Sequence, residues 1–236
     1  MRRAIIIPLL LLILVAISSC SEITVTNNGL DLYHERLYFF LDSLAEEIDC
    51  QDPRNQDLCI LKEAIESEDI SRCEQLPSSF KFDCYTKIAE IKQDFSICDQ
   101  NDISPDERSN FAGMHIQRFL CYENVIIAKG NLQLCEDTFE EKEGQNACHI
   151  DFAGVIADAN ICDTKIDEPE DKTFCYIYVA EASGDISLCD EKIEDEYYKQ
   201  GCYTNVALAT EDKSICDKMV TLEEFKRDCE MTFSTT

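Results

Sequence analysis

The amino-acid sequence predicts an all-α protein, namely an α-solenoid of about six short antiparallel helix pairs cross-linked by disulfides. Three observations predict this fold class. The 236 residues include only 7 Gly and 5 Pro, too few for a turn-rich all-β chain. Cysteines recur with a period of 27 residues, which is typical of stacked supersecondary units. Apolar residues at helical spacing follow the first cysteine of each unit.

The N-terminus has the pattern of an export signal. Met1-Arg2-Arg3 is positively charged, and the uncharged apolar run Ala4–Ile17 is shorter than a membrane-spanning helix requires. The following Ile17-Ser18-Ser19-Cys20 resembles the lipobox of bacterial and archaeal lipoproteins. This resemblance implies that residues 1–19 are removed and that Cys20 is lipidated. The alternative is cleavage after Ser18 and release of the chain in soluble form.

Cysteine parity favours lipidation. The chain has 15 cysteines, so a lipid on Cys20 leaves an even set of 14, whereas a free Cys20 leaves one thiol over. Residues 20–30 are then the lipidated cysteine and a polar tether, and residues 31–49 are an N-terminal capping helix. Residues 50–236 form the cysteine-rich αα-repeat domain. We expect an extracytoplasmic protein, at the cell surface or in the periplasm, attached to the membrane through its N-terminal lipid.

Each repeat contains two cysteines, and the second follows the first after 14 residues without exception. The return to the next leading cysteine varies, with gaps of 9, 11 and 23 residues and then 13 four times. The gap of 23 marks an insertion around Asn101–Asn110. The leading cysteines are Cys59, Cys84, Cys121, Cys148, Cys175 and Cys202, and the second cysteines are Cys73, Cys98, Cys135, Cys162, Cys189 and Cys216.

The leading cysteine of each repeat is predicted to lie in a long helix. Apolar residues follow it by four and five positions, as in Val179-Ala180 and Val206-Ala207, and the small alanine lets neighbouring helices approach closely. Four repeats have tyrosine directly after this cysteine. These residues could pack in the interior, or they could form a binding face; they are Tyr85, Tyr122, Tyr176 and Tyr203.

A short helix is predicted to begin at each second cysteine. The pattern Ser/Asn-x-Cys-Asp/Glu has the form of a capping box, in which the first residue caps the helix and the acid reaches back to its N–H. The expected caps are Ser71, Ser96, Gln133, Asn160, Ser187 and Ser214. The acids that follow the second cysteines are Glu74, Asp99, Glu136, Asp163, Asp190 and Asp217.

Two disulfide registers fit the spacing. The leading cysteine could bond to the second cysteine of its own repeat, but that register leaves Cys50 and Cys229 unpaired at opposite ends. We prefer the other register because it uses all fourteen cysteines. It also explains the variable loop length, since a cross-linked loop can lengthen at small entropic cost. Its pairs are Cys50–Cys59, Cys73–Cys84, Cys98–Cys121, Cys135–Cys148, Cys162–Cys175, Cys189–Cys202 and Cys216–Cys229.

The sequence contains no recognisable catalytic or cofactor motif. No C-x2-C occurs, so zinc, iron–sulfur and haem sites lack their usual spacing, and thiol exchange lacks its motif. No H-E-x-x-H, G-x-S-x-G or glycine-rich phosphate loop is present. The three histidines, His34, His115 and His149, are interpreted as surface or packing residues. We therefore expect neither an enzyme nor a bound cofactor or resident metal.

The chain carries a formal net charge of −27, which argues against a nucleic-acid partner because phosphates would be repelled. Acidic clusters leave weak Ca²⁺ binding as an alternative function, although none has EF-hand spacing. Such clusters are usually solvated faces. They are Asp99 with Asn101, Asp102 and Asp106; Glu136 with Asp137, Glu140, Glu141 and Glu143; and Asp167 with Glu168, Glu170 and Asp171.

Recurrent segments such as Cys175–Ala180 (CYIYVA) and Cys202–Ala207 (CYTNVA) add a second resemblance. Together with the cysteine spacing, they resemble exported, cysteine-rich helical repeat proteins of the tetratricopeptide-like superfamily. The resemblance covers residues 50–236 and implies a scaffold that binds a protein or peptide. Two alternatives stay open: a passive acidic spacer or envelope component, and an enzyme with a general acid–base carboxylate pair that the sequence does not single out.

Overall fold

The computed structural model describes residues 48–100, 110–111, 114–219 and 223–233. The predicted signal peptide 1–19, Cys20, the tether 20–30 and nearly all of the predicted helix 31–49 lie outside these residues, as does most of the insertion around Asn101–Asn110. The chain divides into two compact units, Met1–Cys59 and Ile60–Thr236. In the first unit, Asp52 caps a 3₁₀ helix, Pro53–Asn55, by accepting a hydrogen bond from the Arg54 N–H.

The regular secondary structure of the described residues is helical apart from one small hairpin, which confirms the all-α fold class. The hairpin pairs β1 (Asn110–Phe111) with β2 (Met114–His115). Long and short helices alternate along the chain. The long helices are α1 (Gln56–Ser67), α3 (Ser78–Lys92), α5 (Ile116–Lys129), α7 (Lys142–Ile156), α9 (Pro169–Ser183), α11 (Glu196–Ala209) and α12 (Glu223–Thr232). The short ones are α2 (Ile70–Cys73), α4 (Phe95–Cys98), α6 (Gln133–Thr138), α8 (Ala159–Lys165), α10 (Ser187–Lys192) and a 3₁₀ helix, Lys213–Lys218.

Helix packing in the second unit follows chain order. Each long helix from α3 to α11 contacts the next long helix. The short helices α4, α6, α8 and α10 each contact both the long helix before them and the one after. The predicted apolar stripe lies at these contacts, since the residues four and five positions after the leading cysteines from Cys84 to Cys202 are at most 4% exposed. Gly154 of α7 lets α9 approach, because a Cβ there would lie 3.2 Å from Tyr178 Cβ.

All seven disulfides join the same cysteines as the preferred sequence register. Each bond connects one cysteine to the next in sequence across the variable loop, with Cα–Cα distances of 5.6 to 5.9 Å. From Cys73 onward, every bond links a short helix to the long helix that follows it. The bonded sulfurs of this part of the chain are buried, with each cysteine at most 1% exposed.

The turn between a long and a short helix has one conformation in all six repeats. The residue nine positions after each leading cysteine has a positive φ, and the next residue is Asp or Asn. Its side-chain oxygen accepts a hydrogen bond of 2.9 to 3.2 Å from the backbone N–H two residues later. The positive-φ residues are Glu68, Gln93, Gly130, Ala157, Gly184 and Glu211.

The predicted capping boxes were therefore wrong in register. The helix-start side chain is the Asp or Asn two positions earlier, as in Asp69, which caps α2, and Asp158, which caps α8. The short helices accordingly begin before their cysteines and not at them. The expected caps Ser71, Ser96, Gln133, Asn160, Ser187 and Ser214 instead supply the backbone N–H that these side chains accept. The acids that follow the second cysteines take no part in this capping hydrogen bond.

The geometry of this turn predicts that two substitutions change the free energy of unfolding in opposite directions. Gly184→Ala should lower the free energy of unfolding by about 1 kcal/mol or more, because φ is +70° and the new Cβ would lie 3.0 Å from Thr210 Cγ2. Ala157→Gly, at φ 54° in the equivalent position, should raise it by up to about 1 kcal/mol because the left-handed strain is removed. Urea unfolding followed by circular dichroism measures both. A change of the same sign in both variants would contradict the shared turn geometry.

Candidate functional site

The tyrosines that the sequence singled out lie beside the acids that follow the second cysteines. Four of the seven disulfides bring together a tyrosine and an acid that directly follow their two cysteines. Tyr85 donates its hydroxyl hydrogen bond to Glu74, Tyr122 donates to Asp99 at 2.9 Å, Tyr176 donates to Asp163, and Tyr203 donates to Asp190. We call these four pairs the tyrosine row. The pair recurs in four of the six repeats because the disulfide geometry recurs.

Burial divides the members of the tyrosine row. Tyr85, Tyr176 and Tyr203 are 3%, 4% and 5% exposed, so their rings are part of the core. Tyr122 is half-buried and stacks on Phe95 with ring centroids 5.1 Å apart. The structure therefore gives these residues a packing role. A binding face built from Tyr85, Tyr122, Tyr176 and Tyr203 stays a prediction, and its accessible part is the carboxylate edge of the row.

Basic side chains complete the tyrosine row. Lys192 pairs with Asp163 at 3.2 Å and Lys218 with Asp190 at 2.9 Å, each from the next short helix. Their ammonium groups also lie 5.3 and 5.8 Å from the ring centroids of Tyr176 and Tyr203. In the first two pairs, the cation comes from the same long helix as the tyrosine: Lys81 contacts Glu74 at 2.7 Å, and Arg118 contacts Asp99 at 2.6 Å.

These contacts stabilise the ionised carboxylates. The hydrogen bonds from Tyr203 and Lys218 lower the pKa of Asp190, and the hydrogen bond from Tyr176 lowers that of Asp163. Burial together with Glu74 raises the pKa of Tyr85 to about 12, so the proton stays on the phenol at neutral pH. Each carboxylate of the row therefore has a tyrosine donor and a basic partner, and these contacts link the short helices that carry the carboxylates to neighbouring helices.

The fourth repeat has His149 at the position where four other repeats have tyrosine. Its ring is 1% exposed, and Nε2 lies 3.9 Å from Glu136, which already pairs with Lys165 at 2.8 Å. Neither ring nitrogen has a hydrogen-bond partner among the described residues. Burial lowers the pKa of His149 to about 4, so the imidazole is neutral at pH 7. This histidine packs in the interior, as expected. His34 and the side chain of His115 lie outside what the structure describes.

The acidic clusters have no arrangement for a metal ion within the described part of the chain, where no group of three or more His, Cys, Asp or Glu side chains is so placed. Asp99 and Glu136 are instead paired with Arg118 and Lys165. Asn101, Asp102 and Asp106 lie outside the described residues, so Ca²⁺ binding by that cluster stays a prediction.

An aromatic cluster on the last repeats was missed at the sequence level. Tyr198 lies edge-on to Phe174 with centroids 5.3 Å apart, and Tyr197 lies edge-on to both Tyr198 (5.9 Å) and Phe225 (5.2 Å). We call these four residues the aromatic patch. Its signal in the sequence is a departure from the repeat: the positions of Tyr197-Tyr198 hold Glu143-Gly144 and Glu170-Asp171 in the two preceding repeats.

The tyrosine row gives a prediction on stability and its pH dependence. Tyr176→Phe should lower the free energy of unfolding by about 1–2 kcal/mol at pH 7, because Asp163 loses a buried donor. The lowered pKa of Asp163 contributes stability that is present above its unfolded pKa and lost as the pH falls through the folded value. The gap between variant and wild type should therefore shrink below about pH 4.

Tyr122→Phe is the matched control, since Tyr122 is more exposed than Tyr176 while Asp99 and Asp163 are about equally exposed, and we expect it to cost about 0.5 kcal/mol or less. Urea unfolding of both variants at pH 7 and pH 3 checks the prediction. Equal losses for Tyr176→Phe and Tyr122→Phe, or a gap that does not depend on pH, would count against it.

Seven disulfides indicate an oxidising environment and hence a compartment outside the cytoplasm. Within the described ranges, no helix has both the length and the apolar character needed to cross a bilayer. The chain matches no protein-family model, no curated protein and no solved structure.

Proposed function

We propose that this chain is a lipid-anchored, extracytoplasmic α-solenoid that binds a protein or peptide and is not an enzyme. The observation that carries the proposal is the regular recurrence of one unit: long helix, positive-φ turn, short helix and disulfide to the next long helix. Solenoids of this kind offer extended surfaces in which equivalent positions recur, and such surfaces suit extended polypeptide partners.

The number of helix pairs in the proposed solenoid is about six. The six positive-φ turns support this number, because each one connects a long helix to its short partner. The contact order α3, α5, α7, α9 and α11 supports a linear stack in the second unit, since each long helix packs against its neighbours in sequence. In such a stack each repeat exposes its own positions, so a partner could contact several repeats at once.

Cysteine accounting supports attachment at Cys20. The seven bonds use 14 of the 15 cysteines, and the remaining one is Cys20 in the lipobox-like segment. A single acyl-modified cysteine would place the repeats on the outer face of a membrane, where export and oxidation are both satisfied. The polar residues after Cys20 would then serve as the tether.

A passive acidic spacer is the second candidate. The burial of Tyr85, Tyr176 and Tyr203 favours it, because three of the four tyrosines considered for a binding face already contact the core. A spacer needs rigidity, charge and solubility, and makes no demand on any particular surface side chain. The two candidates therefore differ in whether the folded surface selects particular peptides.

Selection from a random peptide display library separates the two candidates. The bait is the full chain, extracted from membranes with its disulfides intact, and the control bait is the same protein after reduction and alkylation. A binding scaffold should enrich related peptides on the oxidised bait alone, and the synthesised peptides should bind with micromolar Kd. A spacer should enrich nothing beyond the control, and that result would overturn the proposal.

A further inference from the structure

The aromatic patch has the exposure expected of a contact surface. Tyr197 is 62% exposed, whereas Phe174, Tyr198 and Phe225 are half-buried around it. The four rings come from three successive long helices, α9, α11 and α12, and they touch edge to face. Tyr197 is the only aromatic side chain among the exposed large hydrophobic residues of the described chain. Rings that meet around one exposed tyrosine form an apolar surface that a binding partner could cover.

The repeat itself does not require these rings. At the positions of Tyr197 and Tyr198, the α5 repeat has Ile116-Gln117, and the α7 and α9 repeats have Glu143-Gly144 and Glu170-Asp171. Helices α7 and α9 pack against their neighbours without an aromatic pair at these positions. Stacking of the repeats therefore does not require the aromatic pair Tyr197-Tyr198.

Carboxylates surround the patch. Glu170 accepts a hydrogen bond of 3.3 Å from the Tyr198 hydroxyl, and Asp195 caps α11 by accepting from the N–H groups of Tyr197 and Tyr198. Burial raises the pKa of Tyr198, and the charges of Glu170 and Asp195 raise it further. Glu224, which precedes Phe225, is also exposed. Two cations of α12 have carboxylate partners outside the patch, since Lys226 pairs with Asp217 at 2.9 Å and Arg227 lies 3.6 Å from Asp228.

We propose that the aromatic patch binds a cationic, arginine-containing peptide segment. This inference rests on the proposed peptide-binding function and names the chemistry of its ligand. Guanidinium groups stack on aromatic faces and pair with carboxylates, and the patch offers both within one surface. A neutral glycan could stack on the rings and donate hydroxyl hydrogen bonds to the carboxylates, but it would gain no charge pairing with Glu170, Asp195 and Glu224.

A second copy of this chain fits the patch less well. Each copy carries a formal net charge of −27, so two copies repel each other, and the surroundings of the patch are acidic on both. Charge complementarity thus selects a basic partner. A basic segment would also be drawn toward the chain from a distance, which raises its association rate.

Fluorescence anisotropy with a labelled arginine–glycine peptide tests the proposal on the full-length, disulfide-intact protein in about 0.15 M salt. Tyr197→Ala should weaken binding at least fivefold, about the effect of losing one cation–π contact. Tyr197→Leu should weaken it nearly as much because it keeps apolar bulk but loses the aromatic face. Glu170→Gln should weaken binding about twofold to threefold.

Two exposed residues outside the patch supply matched controls. Val155→Ala removes an exposed apolar side chain of α7, and Glu211→Gln removes an exposed carboxylate beyond the opposite end of α11 from Tyr197. Both should change Kd by less than twofold. If Tyr197→Ala and Val155→Ala have equal effects, as do Glu170→Gln and Glu211→Gln, binding reflects net charge alone and the proposal is overturned.

Self-association is measured in the same series. Sedimentation velocity without peptide should show a monomer, and a dimer that Tyr197→Ala dissociates would assign the patch to a second copy and overturn the proposal. The display selection keeps the two inferences distinguishable. If it yields peptides while the arginine peptide does not bind, only the assignment of a cationic ligand is lost. If neither experiment finds a ligand, the proposed function is lost as well.

Discussion

A buried disulfide joins each short helix to the long helix that follows it, and this bond holds the repeats together. Each repeat has one long helix and one short helix, and short helices such as the four-residue α2 and α4 have little stability of their own. A chain with a net charge of −27 also repels itself when compact. Buried disulfides offset both problems, with about 3 kcal/mol per bond in the chain-entropy model for a loop of this length. The contributions of neighbouring bonds are not simply additive.

The tyrosine row and the recurrent turn are consequences of that bond. Because the disulfide fixes two backbones near each other, the residues that follow its cysteines meet, and Tyr–carboxylate pairs form at the same place in four repeats. The recurrent positive-φ turn precedes each short helix, and the cysteine of that short helix then bonds to the next long helix. His149 shows the tolerance of this arrangement, since the fourth repeat keeps its disulfide and its burial without the tyrosine hydrogen bond.

The sequence predicted the periodic features and missed the position of the helix caps and the aromatic patch. Helical class, repeat length and cysteine pairing follow from spacing and parity, which are visible without coordinates. The helix caps were misplaced by two residues because Asp69 and Ser71 are both good capping residues, and only the positive φ of Glu68 decides between them. Gly130 and Gly184, at the same repeat position as Glu68, were the available signal. The aromatic patch was missed because its four rings meet only through the packing of α9, α11 and α12, and the repeat pattern does not call for aromatic residues at these positions.

Disulfide mapping of the native protein distinguishes the two cysteine registers. The membrane-extracted protein is alkylated and digested without reduction, and the linked peptides are identified by mass spectrometry. We predict that Cys162 is bonded to Cys175 and Cys189 to Cys202, with the same next-neighbour pattern for the other five bonds. Peptides that link Cys175 to Cys189, or alkylated thiols throughout the repeats of a chain that is still fully helical, would contradict it.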